Sequence, residues 1–547
     1  MSATIKTRDY KTFVINGQEI PFSALDRVLL NDKVVSAGNK WSMVSREKQP
    51  PLVGTLDCLN KTRYGFTAKN VPIYLFNPLN KAYPPFRVGS TIEPTQNYLV
   101  VIQYETWELG QSMPRGSLVQ NLGPVGDFEA EAAALYWLYS PWSGYTKKTS
   151  EFTPPEIDVT DRVEIRLDHG WQTFNVDPDG CLDIDDCFSY VWDEYGQMVR
   201  CAITIADVAA LVEENSPIDL LARKTGQSLY QDGQKPRHML PSTVAEDYGS
   251  LSVGDLRLGI TLFFDYDRIT NFIDNIHFKE TTITNQTQFT YESIKATAHA
   301  PLLKLLCKKL TPAADLDDPH DWIAALMIFY NTEFAHYIRG SAGGILRAHS
   351  GPDIQRQQML EAIDPALKFL AMSSATYVPA TEKETTHYGL DAEVYTHASS
   401  PLRRYADLHN QRVFKEIYDG TDQRPANPNL LETLNQKAKD AKKYERDYGF
   451  LQAFYGLSNN NKVIGGLVLS LKQKDTIIRI EVWIPAWKRI IKVGYKGSLN
   501  ETNDVATVVS RDEKSRHSIA MGQHIELAFS YDSSKSKWKE RMVYRLL

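Results

Sequence analysis

The stretch Asp177–Asp186, with the sequence DPDGCLDIDD, carries five aspartates in ten residues and no lysine or arginine. Like charges this close raise one another's pKa values unless a cation lies among them. Extended segments are predicted on both sides, so Asp183 and Asp185 alternate onto one face, and a bend at Pro178–Gly180 can return Asp177 toward them. The pattern predicts a turn at the exit of a sheet, with its carboxylates gathered together.

Carboxylate oxygens without a His or Cys ligand pattern nearby favour Mg²⁺ or Mn²⁺ over Zn²⁺. An EF-hand calcium loop counted from Asp177 is excluded, because Cys181 takes its fifth position and Phe188 stands where a closing Glu is needed. A solvated acidic turn is the alternative to a metal site, and the choice between these two interpretations depends on the rest of the chain.

The composition describes a multidomain globular protein. The chain has 547 residues, with 42% hydrophobic, 11% aromatic and 23% charged residues, which predicts about three or four domains. No apolar run approaches the roughly 18 residues that span a bilayer, and the start MSATIKTRDYKTFVING lacks a signal core. The five cysteines form no CxxC pair. We therefore predict an intracellular, cytoplasmic protein with reduced cysteines and no membrane contact.

The net charge of −6 argues against nonspecific wrapping of nucleic acid by the whole surface. The charge is uneven, however, because residues 462–547 contain 16 Lys and Arg against 9 Asp and Glu. An acidic body with a basic C-terminal region is typical of a metal site combined with a module that binds a polyanion. A segment of this length can also reach such a balance by chance.

The chain divides into three predicted regions with a mixed α/β fold overall. Short β runs with Gly, Pro and Asn turns predict an OB-like region over 1–155, with either one complete barrel alone or one complete barrel and a second, reduced one. A proline-containing linker at Thr149–Ile157 leads to a mixed α/β catalytic region over 156–457, and residues 458–547 predict a final OB-type barrel. Aromatic residues in the first region are either stacking platforms for single-stranded bases or strand core: Tyr64, Phe66, Tyr74 and Phe76. On the face of the final barrel, Trp483, Trp487 and Tyr495 would bind single strands.

The segment Ser399–Tyr405 predicts a helix start with Ser400 as the N-cap and Pro401 as the first helical residue. Arg403 and Arg404 would then lie in the first turn, where cations oppose the helix dipole by about 0.3 to 1 kcal/mol unless an anion lies among the free N–H groups. This pattern indicates either a phosphate site or a salt bridge to an acidic neighbour. A later helix, Asn427 to Tyr455, carries Glu445, which by itself fits an ordinary surface pair.

Several separated motifs together resemble the ribonuclease II and ribonuclease R superfamily, whose catalytic core is the RNB domain. The resemblance covers most of residues 25–547 and is strongest to the eukaryotic exosome-type branch without its endonuclease domain. The matching segments follow the family order: Asp177-Pro178 with Asp183, Asp185 and Asp186; Ile205–Val208; Ser228–Tyr230; Met239–Pro241; Tyr395–Tyr405; and Tyr444–Asp447. Pro114–Asp127 is similar to the end of the second cold-shock barrel.

The resemblance implies processive 3′-to-5′ hydrolysis of single-stranded RNA to nucleoside 5′-monophosphates by a magnesium-dependent two-metal mechanism. It implies that Asp177, Asp183, Asp185 and Asp186 hold Mg²⁺, or Mn²⁺, with Asp183 and Asp185 also catalytic. Arg403 would clamp the scissile phosphate with Arg404 nearby, and Tyr230 and Glu445 would hold the 3′-terminal nucleotides. We expect a free-standing monomer that is not docked on an exosome.

The chain departs from the family pattern at three positions. Cys181 and Cys187 replace small residues beside the aspartates, and Thr204 replaces the His that usually precedes the Ile-Ala-Asp motif. A catalytically inactive RNB-fold regulator that binds RNA is the alternative function. A phosphodiesterase acting on DNA also stays open, because discrimination lies in contacts to the 2′-OH.

Overall fold

The computed structural model describes residues 3–21, 25, 27–37, 40–60, 62, 64–143, 152–231, 233–422, 425, 427–457, 463–510, 515–532, 535 and 538–547. Part of the predicted linker (149–151) and the start of the predicted last region (458–462) lie outside these residues. The chain separates into two compact units. Unit 1 combines 1–141, 354–371 and 442–547, and unit 2 combines 142–353 and 372–441. The sequence-based boundaries near 155 and 457 stay predictions.

The strands in the described residues, in chain order, are β1 Ala3–Thr4, β2 Lys6–Thr7, β3 Thr12–Ile15, β4 Gln18–Pro21, β5 Lys33–Ala37, β6 Lys40–Ser45, β7 Leu52–Asp57, β8 Ile73–Pro78, β9 Phe86–Gly89, β10 Tyr98–Thr106, β11 Arg115–Pro124, β12 Val163–Ile165, β13 Gln172–Val176, β14 Asp186–Trp192, β15 Met198–Ala206, β16 Leu256–Asp267, β17 Phe272–Thr284, β18 Thr287–Phe289, β19 Ile345–Ala348, β20 Thr376–Pro379, β21 Val463–Lys474, β22 Ile477–Ile484, β23 Arg489–Leu499, β24 Val505–Val509, β25 Arg516–Ala520, β26 His524–Tyr531 and β27 Met542–Leu546. The α-helices are α1 Phe128–Tyr139, α2 Val208–Leu211, α3 Pro217–Thr225, α4 Ala300–Leu310, α5 Pro319–Ile338, α6 Ile354–Ile363, α7 Tyr405–Tyr418, α8 Pro428–Leu457 and α9 Trp538–Arg541.

The N-terminal part of unit 1 contains a closed barrel with the strand order β10-β11-β9-β8-β7. Alternate residues of these strands point inward, and Leu56, Phe76, Phe86 and Val100 are fully buried there. Two small three-stranded sheets, β1-β5-β6 and β2-β3-β4, precede the barrel. The region thus contains one complete barrel and additional short strands before it.

The core of unit 2 is a mixed sheet with the order β12-β17-β16-β15-β14-β13-β18 among the described residues. The central strand β15 is rich in apolar residues, and its last six residues are all buried. Helices α4, α5 and α7 contribute to the core cluster that includes Phe264, Tyr330, Phe334 and Phe414. The sheet therefore gives a rigid base for the connections at its edge.

The C-terminal strands of unit 1 pair in the order β25-β24-β23-β22-β21-β26-β27, which we call the C-terminal sheet. Residues 354–371, which contain α6, belong to the same unit and pack on this sheet. Leu360 and Leu367 from this segment share a buried cluster with Leu467 and Trp483. One end of the sheet surface is consequently covered by the protein itself.

The predicted fold class is confirmed: the protein is a mixed α/β multidomain chain with a closed five-stranded barrel. Within the residues that the structure describes, every helix is too short or too polar to cross a membrane.

Candidate active site

The acidic stretch forms the connection between β13 and β14, which are antiparallel neighbours in the sheet of unit 2. Asp177 follows the last residue of β13, and Asp186 is the first residue of β14. The predicted bend is present, because the Cys181 N–H donates to the Pro178 carbonyl at 3.1 Å and Gly180 has a φ of +74°. The connection leaves and re-enters the sheet with its aspartates at one edge.

A buried serine fixes the second half of this connection. The Ser250 hydroxyl donates to the Leu182 carbonyl at 2.7 Å and accepts from the Ile184 N–H at 3.0 Å. These bonds hold the residues beside Asp183 and Asp185, whose side chains are both buried. A tertiary contact from a residue distant in the sequence thus fixes the backbone beside both aspartates.

Three of the four predicted metal ligands have raised pKa values, and burial is the largest cause in each case. The pKa of Asp185 is raised to about 7. The pKa of Asp186 lies well above its ordinary value, because the charges of Asp177 and Asp185 add to burial. Arg403 acts in the opposite direction on all three groups. The aspartates therefore lie close enough to repel one another, as the sequence predicts.

The predicted start of the arginine-bearing helix is wrong by four residues. Helix α7 begins at Tyr405 with Arg404 as its N-cap, and not at Pro401 with Ser400 as the N-cap. The Ser400 carbonyl accepts from the N–H groups of Arg403 at 3.3 Å and Arg404 at 3.0 Å. Residues 400–404 therefore form a separate turn, which we call the arginine turn.

Tertiary hydrogen bonds explain this later helix start. The Leu402 N–H donates to Asp185 Oδ1 at 2.9 Å, and the Tyr405 N–H donates to the Gly226 carbonyl at 2.9 Å. Because these two N–H groups already donate to acceptors elsewhere in unit 2, no hydrogen bond is lost when the helix starts at Tyr405 and not at Pro401. Arg403 precedes the helix, and the dipole argument made from the sequence does not apply to it.

Arg403 pairs with the acidic cluster. Its Nε donates to Asp185 Oδ2 at 3.2 Å, and its Nη2 donates to the Ser400 hydroxyl oxygen at 2.9 Å. The Arg403 side chain is 46% exposed, whereas the Asp185 side chain is 5% exposed. Asp185 is thus held through both oxygens, and nearly half of the arginine stays accessible to an anion.

Arg404 makes the salt bridge that was one of the two sequence-based alternatives. Its Nη2 donates to Asp407 Oδ1 at 2.8 Å, and the same oxygen accepts from the Ser400 N–H at 2.8 Å. Asp407 is fully buried. The observed contacts of Arg404 stabilise the arginine turn, and its predicted catalytic role stays a prediction.

Tyr230 and His238 both approach Asp183. The Tyr230 hydroxyl donates to Asp183 Oδ2, while its side chain stays 43% exposed. Burial raises the pKa of this hydroxyl, and the charge of Asp183 adds to the effect. The hydroxyl therefore stays protonated and donates its hydrogen bond. His238 Nδ1 lies 3.9 Å from the same Asp183 oxygen, and its Nε2 lies 2.8 Å from Glu246 Oε1. Sequence reasoning missed His238, although it immediately precedes the Met239–Pro241 motif.

Tyr291 is a second residue that the sequence did not reveal. It lies two residues after β18, and the Asp177 N–H donates to the Phe289 carbonyl at 3.0 Å. Burial raises the pKa of Tyr291 to about 12, and the charges of Asp177 and Asp186 add to this effect. Only the pairing of β13 with β18 brings Tyr291 to the aspartates, and sequence spacing carries no signal of that pairing.

Two further motif residues have structural roles. Burial alone would raise the pKa of Asp207, but Lys415 and Arg162 hold it below its ordinary value through contacts of 2.8 Å. The Thr204 hydroxyl lies 2.8 Å from that of Thr261 inside the sheet. Thr204, which departs from the family pattern, therefore acts in packing at this position.

Glu445 is the remaining predicted site residue. It is exposed on α8 and belongs to unit 1, whereas the aspartates, Tyr230 and the two arginines belong to unit 2. Its contact with terminal nucleotides stays a prediction.

Most of the candidate stacking aromatics that the structure describes are core residues. Tyr74 and Phe76 are buried inside the N-terminal barrel, while Phe66 is 61% exposed. Trp483 lies under the 354–371 segment, and the buried Tyr495 hydroxyl accepts from the Leu546 N–H. A stacking role is therefore wrong for the four buried residues, because strand alternation and covering by α6 place their rings away from solvent.

The uncovered end of the C-terminal sheet is basic instead of aromatic. Lys472 lies directly opposite Arg479, and Arg479 in turn lies opposite Gly494. Glu481 is the acidic residue of this face and pairs with Lys492 at 2.7 Å. The exposed cations of the face are Lys472, Lys474, Arg479, Lys492 and Lys496.

The acidic cluster fits Mg²⁺ or Mn²⁺ in its donor chemistry, because carboxylate oxygens with raised pKa values are groups that a divalent cation stabilises in ionised form. Among the described residues, no three His, Cys, Asp or Glu side chains converge tightly enough to hold a metal. Asp183 directs an oxygen to Tyr230, and Asp185 directs one to Arg403. The cluster supplies the ligand types and is not arranged as a closed coordination shell.

Comparisons with known proteins agree with these features. Residues 166–304 and 307–420 match the RNB domain family, and residues 73–140 match the Dis3-like cold-shock domain 2. The chain is 22% identical to the human exosome complex exonuclease RRP44 over 429 residues, which are 62% of this chain and 44% of that protein. It is 25% identical to ribonuclease R of Chlamydia muridarum over 314 residues, 44% of each chain.

Two solved structures show the same fold. Mycoplasma genitalium RNase R in complex with ribose-methylated single-stranded RNA has a TM-score of 0.69 at 15% identity, with 100% of both chains covered. Yeast Ssd1, described as a pseudonuclease, has a TM-score of 0.62 at 16% identity, covering 93% of this chain and 81% of that one. At these identities the similarity establishes the fold and not the activity. The chain also spans less than half of the length of RRP44.

Proposed function

Because this chain is an RNB-domain protein, we propose that it is a processive exoribonuclease that hydrolyses single-stranded RNA from the 3′ end to nucleoside 5′-monophosphates. The observation that carries the proposal is the placement of four aspartates at one sheet edge, with Arg403 bound to Asp185. Carboxylates beside an accessible arginine are the groups that phosphodiester hydrolysis requires.

Asp185 and Arg403 have complementary roles in this proposal. Asp185 is fixed by the Leu402 N–H and by Arg403 Nε. The partly exposed guanidinium clamps the scissile phosphate, because its planar donors match phosphate oxygens in pairs. Charge that grows on those oxygens in the transition state then meets a cation that is already in place.

The other aspartates and Tyr230 complete the assignment. Asp177, Asp183, Asp185 and Asp186 would hold Mg²⁺, with Mn²⁺ as a substitute, which when bound supplies a Lewis acid and a water of lowered pKa. Tyr230 holds Asp183 through its hydroxyl and offers an exposed ring to a terminal nucleotide.

The C-terminal sheet supports a polyanionic substrate. Lys472 and Arg479 lie directly opposite each other on neighbouring strands, and Glu481, which pairs with Lys492, balances only part of the positive charge of this face. Lys492 and Lys496 flank Gly494, which lies opposite Arg479 and leaves space above the sheet. Phosphates of an RNA backbone would neutralise these charges.

A catalytically inactive RNA-binding regulator is the second candidate. Two observations favour it. The ion pair of Arg403 with Asp185 compensates part of the negative charge of the cluster, and a pseudonuclease shares the fold. The two candidates differ in whether RNA is shortened.

The test is incubation of 5′-labelled single-stranded RNA with Mg²⁺ and either the wild-type protein or Asp185→Asn. We expect the wild type to shorten the strand from its 3′ end and release nucleoside 5′-monophosphates, whereas the variant binds the strand and leaves it intact. Retardation without shortening by the wild type would assign the regulator. Full activity of Asp185→Asn would remove the proposed centre.

A further inference from the structure

A pair of stacked rings extends from the acidic cluster to the solvent. The rings of Tyr291 and His320 lie parallel within 17°, with 3.8 Å between their centroids. The His320 side chain is 64% exposed. The pair therefore has an inner ring and an outer ring whose far face is open to solvent.

The inner ring lies beside the aspartates. Tyr291 is two residues from Phe289, whose carbonyl accepts from the Asp177 N–H at 3.0 Å. The charges of Asp177 and Asp186 also act on the Tyr291 hydroxyl. A molecule bound against the outer ring would consequently stack on the ring that neighbours a residue within electrostatic range of two of the aspartates.

The outer ring is fixed before any ligand binds. Asp318 is the N-cap of α5, and its Oδ1 accepts from the His320 N–H at 2.9 Å and lies 2.8 Å from His320 Nδ1. The stack with Tyr291 fixes the plane of the imidazole. A flat group held in two ways loses little entropy when a second flat group binds to it.

We propose that the exposed face of His320 is a stacking position for a nucleobase near the 3′ end of the RNA. This inference rests on the proposed function, because it takes single-stranded RNA as the polymer that reaches the aspartates. Every base has a π face, so such a position tolerates any sequence. Stacking of a base on an aromatic residue contributes about 1 to 3 kcal/mol, or roughly a 5- to 150-fold change in affinity.

The test measures RNA affinity in the full-length Asp185→Asn background, which keeps the strand intact. His320→Ala should weaken binding of single-stranded RNA by roughly 5- to 150-fold, whereas His320→Trp should retain affinity because it restores a ring. His169→Ala is the matched control, since His169 is exposed and lies in another part of unit 2. Equal melting temperatures of these variants show that folding is unchanged.

A second RNA makes the readout specific to stacking. This strand has the same ribose-phosphate backbone but lacks bases at its 3′-terminal nucleotides. His320→Ala should have no effect on its affinity, because there is no base to stack. Equal weakening with both strands, or no weakening with either, would overturn the inference.

Failure of the proposed function gives a different result. In that case the wild-type protein leaves RNA intact, while the base-dependent effect of His320→Ala is still measured by binding. Conversely, shortening of RNA with no base-dependent effect of His320 rejects the stacking position alone.

Discussion

Replacement of Asp185 by Asn should make the protein's stability less dependent on pH. The pKa of the Asp185 carboxyl is raised from 3.8 to about 7, mainly by burial. The folded chain therefore holds this proton more tightly than the unfolded chain does, and stability falls as pH rises from about 4 through about 7. Each pKa unit corresponds to about 1.4 kcal/mol, so ionised Asp185 destabilises the folded state by about 4 kcal/mol at pH 8.

About 2 to 3 kcal/mol of this loss should fall between pH 5 and pH 8. The asparagine side chain of the Asp185→Asn variant has no proton to lose, so the variant should lack this part of the decline. The assay is thermal unfolding of both proteins in EDTA, because a divalent cation would favour the ionised carboxylate. The wild type should lose roughly 5 to 10 °C more than Asp185→Asn over this interval.

Addition of Mg²⁺ at pH 8 provides a second readout. A cation that binds the folded state raises the melting temperature with its concentration, and this rise should be smaller in Asp185→Asn. Identical pH profiles of the two proteins would refute the burial argument. A Mg²⁺ effect of equal size in both would refute the assignment of Asp185 as a ligand.

Three other predictions follow from buried or paired charges. Arg541→Met should lower the free energy of unfolding by about 3 to 5 kcal/mol, because it leaves Glu131 buried without its ion-pair partner. Denaturation of the full-length protein measures this, and an unchanged free energy of unfolding would contradict it. Charge reversal of Lys472 and Arg479 should make the plot of log binding constant against log salt concentration less steep by about 0.7 per lost phosphate contact. Fluorescence anisotropy of labelled RNA measures this slope, and an unchanged slope would mean that this face does not touch RNA. Asp407→Asn should lower kcat with little change in KM, because the negative charge that holds Arg404 is lost while an oxygen that can accept a hydrogen bond remains. Steady-state kinetics measure both constants, and a rise in KM alone would argue against this positioning role.

Local sequence patterns predicted the parts of the fold that depend on short-range physics. The strands β15, β22 and β26 coincide with segments of the sequence that are apolar or alternate between apolar and polar residues. The bend at Pro178–Gly180 is present because a proline and a glycine with positive φ favour it. The family resemblance is also confirmed, since its motifs combine many local signals in a fixed order.

Features that depend on tertiary partners were not predictable. Helix α7 starts late because Leu402 donates its N–H to Asp185, which is distant in the sequence. Trp483 is an aromatic residue of the kind on which bases can stack, but the 354–371 segment covers its ring. Tyr291 reaches the aspartates through the pairing of β13 with β18, and His238 does so next to the bridge between Arg237 and Leu229, which adjoins Tyr230. In each case a contact between distant segments replaces the local preference.

The hydrogen bonds of Asp185 explain how one arginine can serve both the cluster and a substrate. Leu402 N–H and Arg403 Nε donate to different oxygens of the same carboxylate. The backbone bond to Leu402 therefore still holds Asp185 when Arg403 turns toward a phosphate. Because the arginine side chain is 46% exposed while the carboxylate is buried, the guanidinium can exchange partners without uncovering the aspartate.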